Sequence, residues 1–224
     1  MNNQLKNLID KDLNKTNLSL VNAFLEKCPT LSLVEGKFLN IIQLGTNNGN
    51  DHVFDFISKN ERKIKNFLAI DALPRCVELV KERYSFLEER LIPLNVAIGI
   101  KDGYAEFFYP KKESESYLSS LIELQMLVRS ELKLLNKMIV PVFNINTLFN
   151  NLSFNKIDRL YIDIEGMDGK VLVEMDFEKF LPDFIQFEYS HSSGTDLEKI
   201  FDKFRKYKYS INQAPRDVYA TRIT

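Results

Sequence analysis

The chain has 224 residues, 45% of them hydrophobic and 27% charged, which suits one α/β domain with a full core and is too little for two. Its 30 basic and 31 acidic residues leave a net charge of -1, so no general field draws it to a polyanion and no nucleic-acid partner is expected. Lysines and arginines do cluster between Lys199 and Lys208, but they alternate with Ile and Phe at helical spacing and read as a solvated helix face. With 17 Phe, 9 Tyr and no Trp, the core must be packed largely by Phe and Tyr. Cys28 and Cys76 cannot make a disulfide framework and have no partner at metal-ligand spacing, so both read as buried thiols. The polar start Met1-Asn-Asn-Gln-Leu-Lys lacks the apolar stretch of a signal peptide, and the longest apolar runs are strand-sized. A cytoplasmic location with no membrane contact is the expectation.

Leu18, Val21 and Leu25 repeat at helical spacing up to Cys28, and Pro29 ends them, giving a helical extension over about 1–36. Phe38 to Leu44 is a short run rich in Ile and Leu between Gly36 and Gly45, the pattern of a buried parallel strand. An amphipathic helix follows from Val53 to Ile64, then a second buried strand, Phe67 to Ile70, ending at Asp71. Pro74 opens a helix through Val77, Val80 and Tyr84, where its missing N–H costs nothing. Leu91 to Ile98 reads as a third strand and Tyr104 to Tyr109 as a partly alternating one. Pro110 to Ser116 is a polar loop, Ile122 to Asn136 has helical periodicity, and Met138 to Asn144 is a strand; the segment at about 110–137 reads as an insertion. Leu160 to Ile164 is the next buried strand, followed by a helix from about Met167 to Glu174 and a strand from Asp183 to Tyr189. A helix near Asp196 to Arg205 leads into Tyr207–Ile211 and Asp217–Arg222, which read as an antiparallel hairpin. Strands alternating with helices through short connections predict a mostly parallel sheet in a single α/β domain over 1–224.

The strongest local signal is the glycine loop Gly45-Thr-Asn-Asn-Gly49-Asn-Asp51, set between a buried strand and a helix. Glycines there let the backbone turn tightly and approach a ligand, and Asp71, at the end of the next strand, can bind a ribose diol. A plain turn with a helix-capping Asp is the simpler alternative. The spacing is not that of a dinucleotide fingerprint, and Asp51 puts negative charge where a pyrophosphate wants a bare helix N-terminus. A cationic ligand without phosphate, such as the sulfonium of S-adenosylmethionine, suits the loop better than NAD.

The second signal is Asp163-Ile-Glu165-Gly166 at the end of a buried strand, where open α/β sheets bind ligands; Glu165 there can instead simply cap the following helix. Placed so, it resembles the Ile-Asp-Val-Glu-Gly signature of the FkbM methyltransferase family. Gly45-Thr-Asn-Asn-Gly49 resembles the Gly-Ala-Asn-x-Gly loop of that family, and Asn95-Val-Ala97 its Asn-x-Ala. Ser119-Ser-Leu121, Thr147-Leu148 and Phe187-Glu188 follow in the same order, so the resemblance spans roughly residues 38 to 190. It implies a Rossmann-like class I methyltransferase fold with one antiparallel strand near the C-terminus and helices on both faces. It further implies S-adenosylmethionine held by Gly45, Thr46, Asn47, Gly49, Asp71, Asn95, Ala97 and Asp163. The reaction implied is methyl transfer to a hydroxyl of a sugar, glycan or secondary metabolite.

Three departures stand out: Thr46 replaces a small residue, Asp71-Ala-Leu-Pro74 replaces Glu-Pro, and Phe149 replaces an Asp after Thr147-Leu148. The loss at Phe149 favours the main alternative, a ligand-binding relative without turnover; an NAD-dependent oxidoreductase is the third choice. Asp163, Glu188 and His191 stand at the carboxyl edge of the sheet as candidates for base or acceptor orientation. The Asp163 and Glu188 carboxylates could converge to hold Mg²⁺, but His191 or a carboxylate acting without a metal is the preferred route. His52, the other histidine, reads as a helix-start residue. The segment Pro110–Asn136, with hydroxyls at Ser114, Ser116, Tyr117, Ser119 and Ser120, is expected to shape the acceptor site.

Overall fold

A computed structural model describes residues 38–110, 119–122 and 135–223. The expected helix at 18–28, the polar loop after Pro110 and most of 122–136 lie outside those residues, as does Cys28. In chain order the first half contains β1 (Leu39–Leu44), α1 (His52–Lys59), β2 (Ile64–Asp71), α2 (Pro74–Arg83), β3 (Leu91–Asn95), β4 (Ala97–Gly99) and β5 (Gly103–Pro110). The second half contains β6 (Leu135–Asn144), α3 (Ile145–Asn150), β7 (Arg159–Ile162), α4 (Asp168–Glu174), β8 (Phe184–Glu188), α5 (Gly194–Lys206), β9 (Tyr209–Gln213) and β10 (Asp217–Arg222).

Seven strands form one sheet in the order β3-β2-β1-β7-β8-β10-β9. Every pair from β3 to β8 is parallel, and β10 runs antiparallel between β8 and β9. Five of the six residues of β1 are buried, as expected of a central strand covered on both faces. Alternate residues serve opposite faces. Ile41, Phe67, Ala69 and Tyr161 pack with Val53 and Ile57 of α1 and Val80 of α2. Ile42, Leu44, Leu68, Ile162 and Phe187 pack with Val171 and Leu172 of α4 and Ile200 and Phe204 of α5. Helices therefore cover both faces, and the expected Rossmann-like α/β fold is what the chain adopts.

Two local expectations are corrected. Leu91–Ile98 is not one strand: β3 ends where Asn95 pairs with Asp71, and Ala97 instead pairs with Val142 of β6. The break arises because β2 stops at Asp71, leaving the chain beyond Asn95 no neighbour in the large sheet. β4, β6 and β5 make a second, three-stranded sheet. Leu135 and Asn136, read as the end of a helix, begin β6, whose register with β5 runs from Gly103↔Val142 to Pro110↔Leu135. The C-terminal hairpin forms as expected, with β10 inside the sheet and β9 at the edge.

Candidate active site

The carboxyl ends of β1, β2 and β7 meet at the glycine loop. Gly45 N and Thr46 N both donate to Ile70 O, at 2.9 and 3.2 Å, and Asp163 N donates to Leu44 O at 2.9 Å. Gly45 has φ +79, and a Cβ there would lie 1.8 Å from the Asp163 carbonyl oxygen. Only glycine fits between β1 and the turn after β7. Gly49, at φ +67, is likewise confined, since a Cβ there would stand 2.9 Å from the Tyr84 ring; it turns the loop rather than lining a cavity. Asp51 caps α1, accepting from Val53 N at 2.9 Å and Phe54 N at 3.1 Å, while its other oxygen accepts from Gln43 Nε2 at 2.7 Å. The helix end that would attract phosphate already holds an anion.

Asp71 ties two loops together. One oxygen accepts from Asn47 N at 2.8 Å, the other from Leu73 N at 2.9 Å. Burial outweighs these hydrogen bonds and pushes its carboxyl up to about 6. Asn95, expected to contact the cofactor, is buried, and its amide donates to the Asp71 and Ala72 carbonyls, each at 2.9 Å. It shapes the Asp71 turn from behind.

These elements enclose a cavity with an apolar half, including Ile70, Ala72, Val96, Ala97, Ile98 and Phe107, and a polar half that includes Thr46, Asn47, Asp71, Ser119, Asp163 and Glu165. Thr46 is 2% exposed, and its Oγ1 makes no hydrogen bond among the described residues. A buried hydroxyl of that kind is a ready partner for a polar ligand. Thr46, Asn47, Asp71, Ala97 and Asp163 are thus brought together with Gly45 around one cavity. Val96 and Leu121, which fall within the Asn95-Val-Ala97 and Ser119-Ser-Leu121 segments, also line it, as do Ile98 and Phe107, which no local pattern in the sequence marks for a site.

A second group lies past β7 and β8. One ligand atom each from Glu165, Glu188 and His191 falls within 4.8 Å of the others. Glu165 occupies the place beside Glu188 expected of Asp163, and it does not cap α4, whose first flanking residue is Met167. Glu188 is 5% exposed, and Arg216 donates to its Oε1 from Nη2 at 2.6 Å and Nε at 3.1 Å. His191 Nε2 stands 3.8 Å from the same oxygen. Two carboxylates and an imidazole can hold a divalent cation, but here the guanidinium already neutralises Glu188. Arg216 sits in the β9–β10 turn, 28 residues from Glu188, and nothing local in the sequence marks it.

Phe149 and His52 have structural explanations. Phe149 is 3% exposed and packs edge-on against Phe180 at 5.3 Å, away from the cavity. Thr147 donates to Asp102 at 2.7 Å, bracing the start of α3. His52 opens α1 as expected, and its Nε2 lies 2.8 Å from Gln186 Oε1.

Sheet order and the cavity beside the glycine loop define the class as a doubly wound α/β domain with a ligand site at the carboxyl edge of its sheet. Residues 43–211 match the model of the methyltransferase FkbM domain. The chain belongs to the FkbM methyltransferase family. Among solved structures it is similar to methyltransferase FkbM from Methylobacillus flagellatus KT, with 12% identity and a TM-score of 0.50. That match covers 96% of this chain and 57% of the other, so the chain spans little more than half of that protein, and the likeness is one of fold. It is also similar to an O-methyltransferase from Bacillus cereus in complex with SAH, at 10% identity and a TM-score of 0.44, covering 98% of this chain and 87% of that one. No curated protein matches the sequence.

Proposed function

We propose that the protein transfers a methyl group from S-adenosylmethionine to a hydroxyl of a sugar, glycan or secondary metabolite. The observation that carries this reading is the cavity itself: Asp71 at one side, an orphan Thr46 hydroxyl at the floor, an apolar half beside them, and a helix end closed to phosphate by Asp51. These residues fit a nucleoside with a cationic tail, and Gly45, Thr46, Asn47, Asp71, Ala97 and Asp163 would hold it. When bound, S-adenosylmethionine supplies an already activated methyl group. The chain's own residues must then align an acceptor oxygen and take its proton. His191 is the proposed proton acceptor, facing buried Glu188. Asp163 and Glu188 orient the acceptor and the imidazole, and no metal is required on this reading.

A small-molecule or glycan acceptor, no nucleic-acid partner and a cytoplasmic location belong to the same proposal. No helix among the described residues is long and apolar enough to cross a membrane. Calorimetry decides the donor. Binding of S-adenosylhomocysteine with no response to NAD is the expected result, and the reverse pattern sinks the reading.

A further inference from the structure

The buried carboxylate of Asp168 has no part in the chemistry described above. It is 2% exposed, at the first residue of α4, and its two oxygens accept from Gly166 N at 3.1 Å and Ile164 N at 3.3 Å. Those amides flank Glu165. A carboxylate bridging these two amides fixes the peptide that follows Glu165 and the Asp163–Ile164 peptide before it, and so pins the turn at both ends of that residue.

The residue so fixed is in an unusual conformation. Glu165 has φ 50 and Gly166 φ 96. Gly166 adopts a left-handed backbone freely, but a side chain with a Cβ does so at a cost, and it persists only where the surroundings impose it. Ser120 supplies a second restraint, its Oγ donating to Glu165 O at 2.7 Å. The result is a side chain that lines the donor cavity on one side and approaches Glu188 and His191 on the other. An extended Glu165 would point elsewhere, and the two halves of the site would have no acidic group between them.

We propose that Asp168 is a positioning residue that holds Glu165 at this junction, where the Glu165 carboxylate reads the positive charge of the methyl donor. The inference rests on the donor assignment made above. Burial and the nearby Asp163 charge both push the Asp168 carboxyl well above its ordinary value. Keeping an acid there therefore works against stability and calls for a compensating role. The role assigned is geometric, and it makes Glu165 the charge reader and Asp168 its support.

The test compares S-adenosylmethionine, which carries the sulfonium, with S-adenosylhomocysteine, which is neutral at sulfur, by calorimetry on the full chain. The quantity read is the ratio of the two dissociation constants, which needs no acceptor. Glu165→Gln should lower the preference for the sulfonium about fivefold, as loss of one partly exposed charge contact does. Asp168→Asn, which keeps the shape but turns an NH2 towards one of the two amides, should lower it to a similar extent. The double variant should be no worse than Glu165→Gln alone, because Asp168 acts only through Glu165.

Equal weakening of both ligands in Asp168→Asn, or effects that multiply in the double variant, overturns the proposal and leaves Asp168 as a fold residue. Should Asp168→Asn fail to fold, Glu165→Gln still decides, since an unchanged ratio there removes the charge reader. A wild-type protein that binds neither ligand overturns the donor assignment and this inference with it. A wild-type protein that binds both, with no change in ratio in the variants, overturns this inference alone.

Discussion

Asp71 offers the sharpest test of the donor cavity, because its structural and binding roles separate with pH. In the folded chain burial raises its carboxyl from 3.8 to about 6, a difference of roughly 2 pH units and at most about 3 kcal/mol. The folded state then holds a proton that the unfolded state has already released. Stability from this group is complete below the ordinary carboxylate range and is lost as pH rises through about 6. A ribose diol works in the opposite sense, since its hydroxyls donate best to the ionised carboxylate. Binding of S-adenosylhomocysteine should therefore release a proton and weaken about tenfold between pH 7 and pH 5.

Asp71→Ala removes the acceptor and should weaken binding at pH 7 by roughly 1 to 3 kcal/mol. It also frees the Asn47 and Leu73 amides, so Asp71→Asn, which keeps one acceptor oxygen, serves as the control. Both variants should abolish the pH dependence. Calorimetry at pH 5, 6 and 7 measures both effects. A variant that binds as tightly as the wild type, or that retains the pH slope, refutes the assignment of Asp71 to the ribose.

Gly45→Ala should destabilise the chain by more than about 3 kcal/mol in chemical denaturation, because its Cβ would meet backbone 1.8 Å away; a loss under about 1 kcal/mol contradicts the close approach of β1 and the β7 turn. Phe149→Asp, which restores the acid typical of the family, should lower stability by at least about 3 kcal/mol without improving donor affinity, since position 149 faces the core. Thermal unfolding checks the first part and calorimetry the second, and a stable variant with tighter binding would place position 149 in the site. Once an acceptor is identified, activity should survive EDTA and fall about a hundredfold in His191→Ala. Full activity in that variant, with EDTA sensitivity reversed by Mg²⁺, would reassign Glu165, Glu188 and His191 to a cation.

What could be read from the sequence was whatever is encoded locally. β1, β2, β7 and β8 announce themselves as apolar runs because both of their faces are buried. The glycine loop and Asp71 are recognisable because a turn and the residue beside it are neighbours in the chain. The break after Asn95 is not, since it depends on β6, whose Val142 lies 45 residues beyond its partner Ala97. Asn95 shows the limit of motif resemblance: a polar residue stands where one is expected, yet its amide is committed to two backbone carbonyls. Arg216 on Glu188 and Glu165 beside His191 arise only when the hairpin and the β7 turn fold over one another.

The division of the chain after Asn95 has a consequence for how the domain responds to its ligand. One wall of the donor cavity, with Ile70 and Ala72, belongs to the large sheet and its edge, and the facing wall, with Ala97 and Phe107, to the small one. The two sheets meet there along a seam crossed by the short step from β3 to β4. A molecule seated in that seam acts as a rivet, adding contacts that neither sheet can make alone. Amide protons deep in β6, such as that of Val140, then become reporters of binding, slowing their exchange with solvent because the sheet that carries them has been fastened to its neighbour.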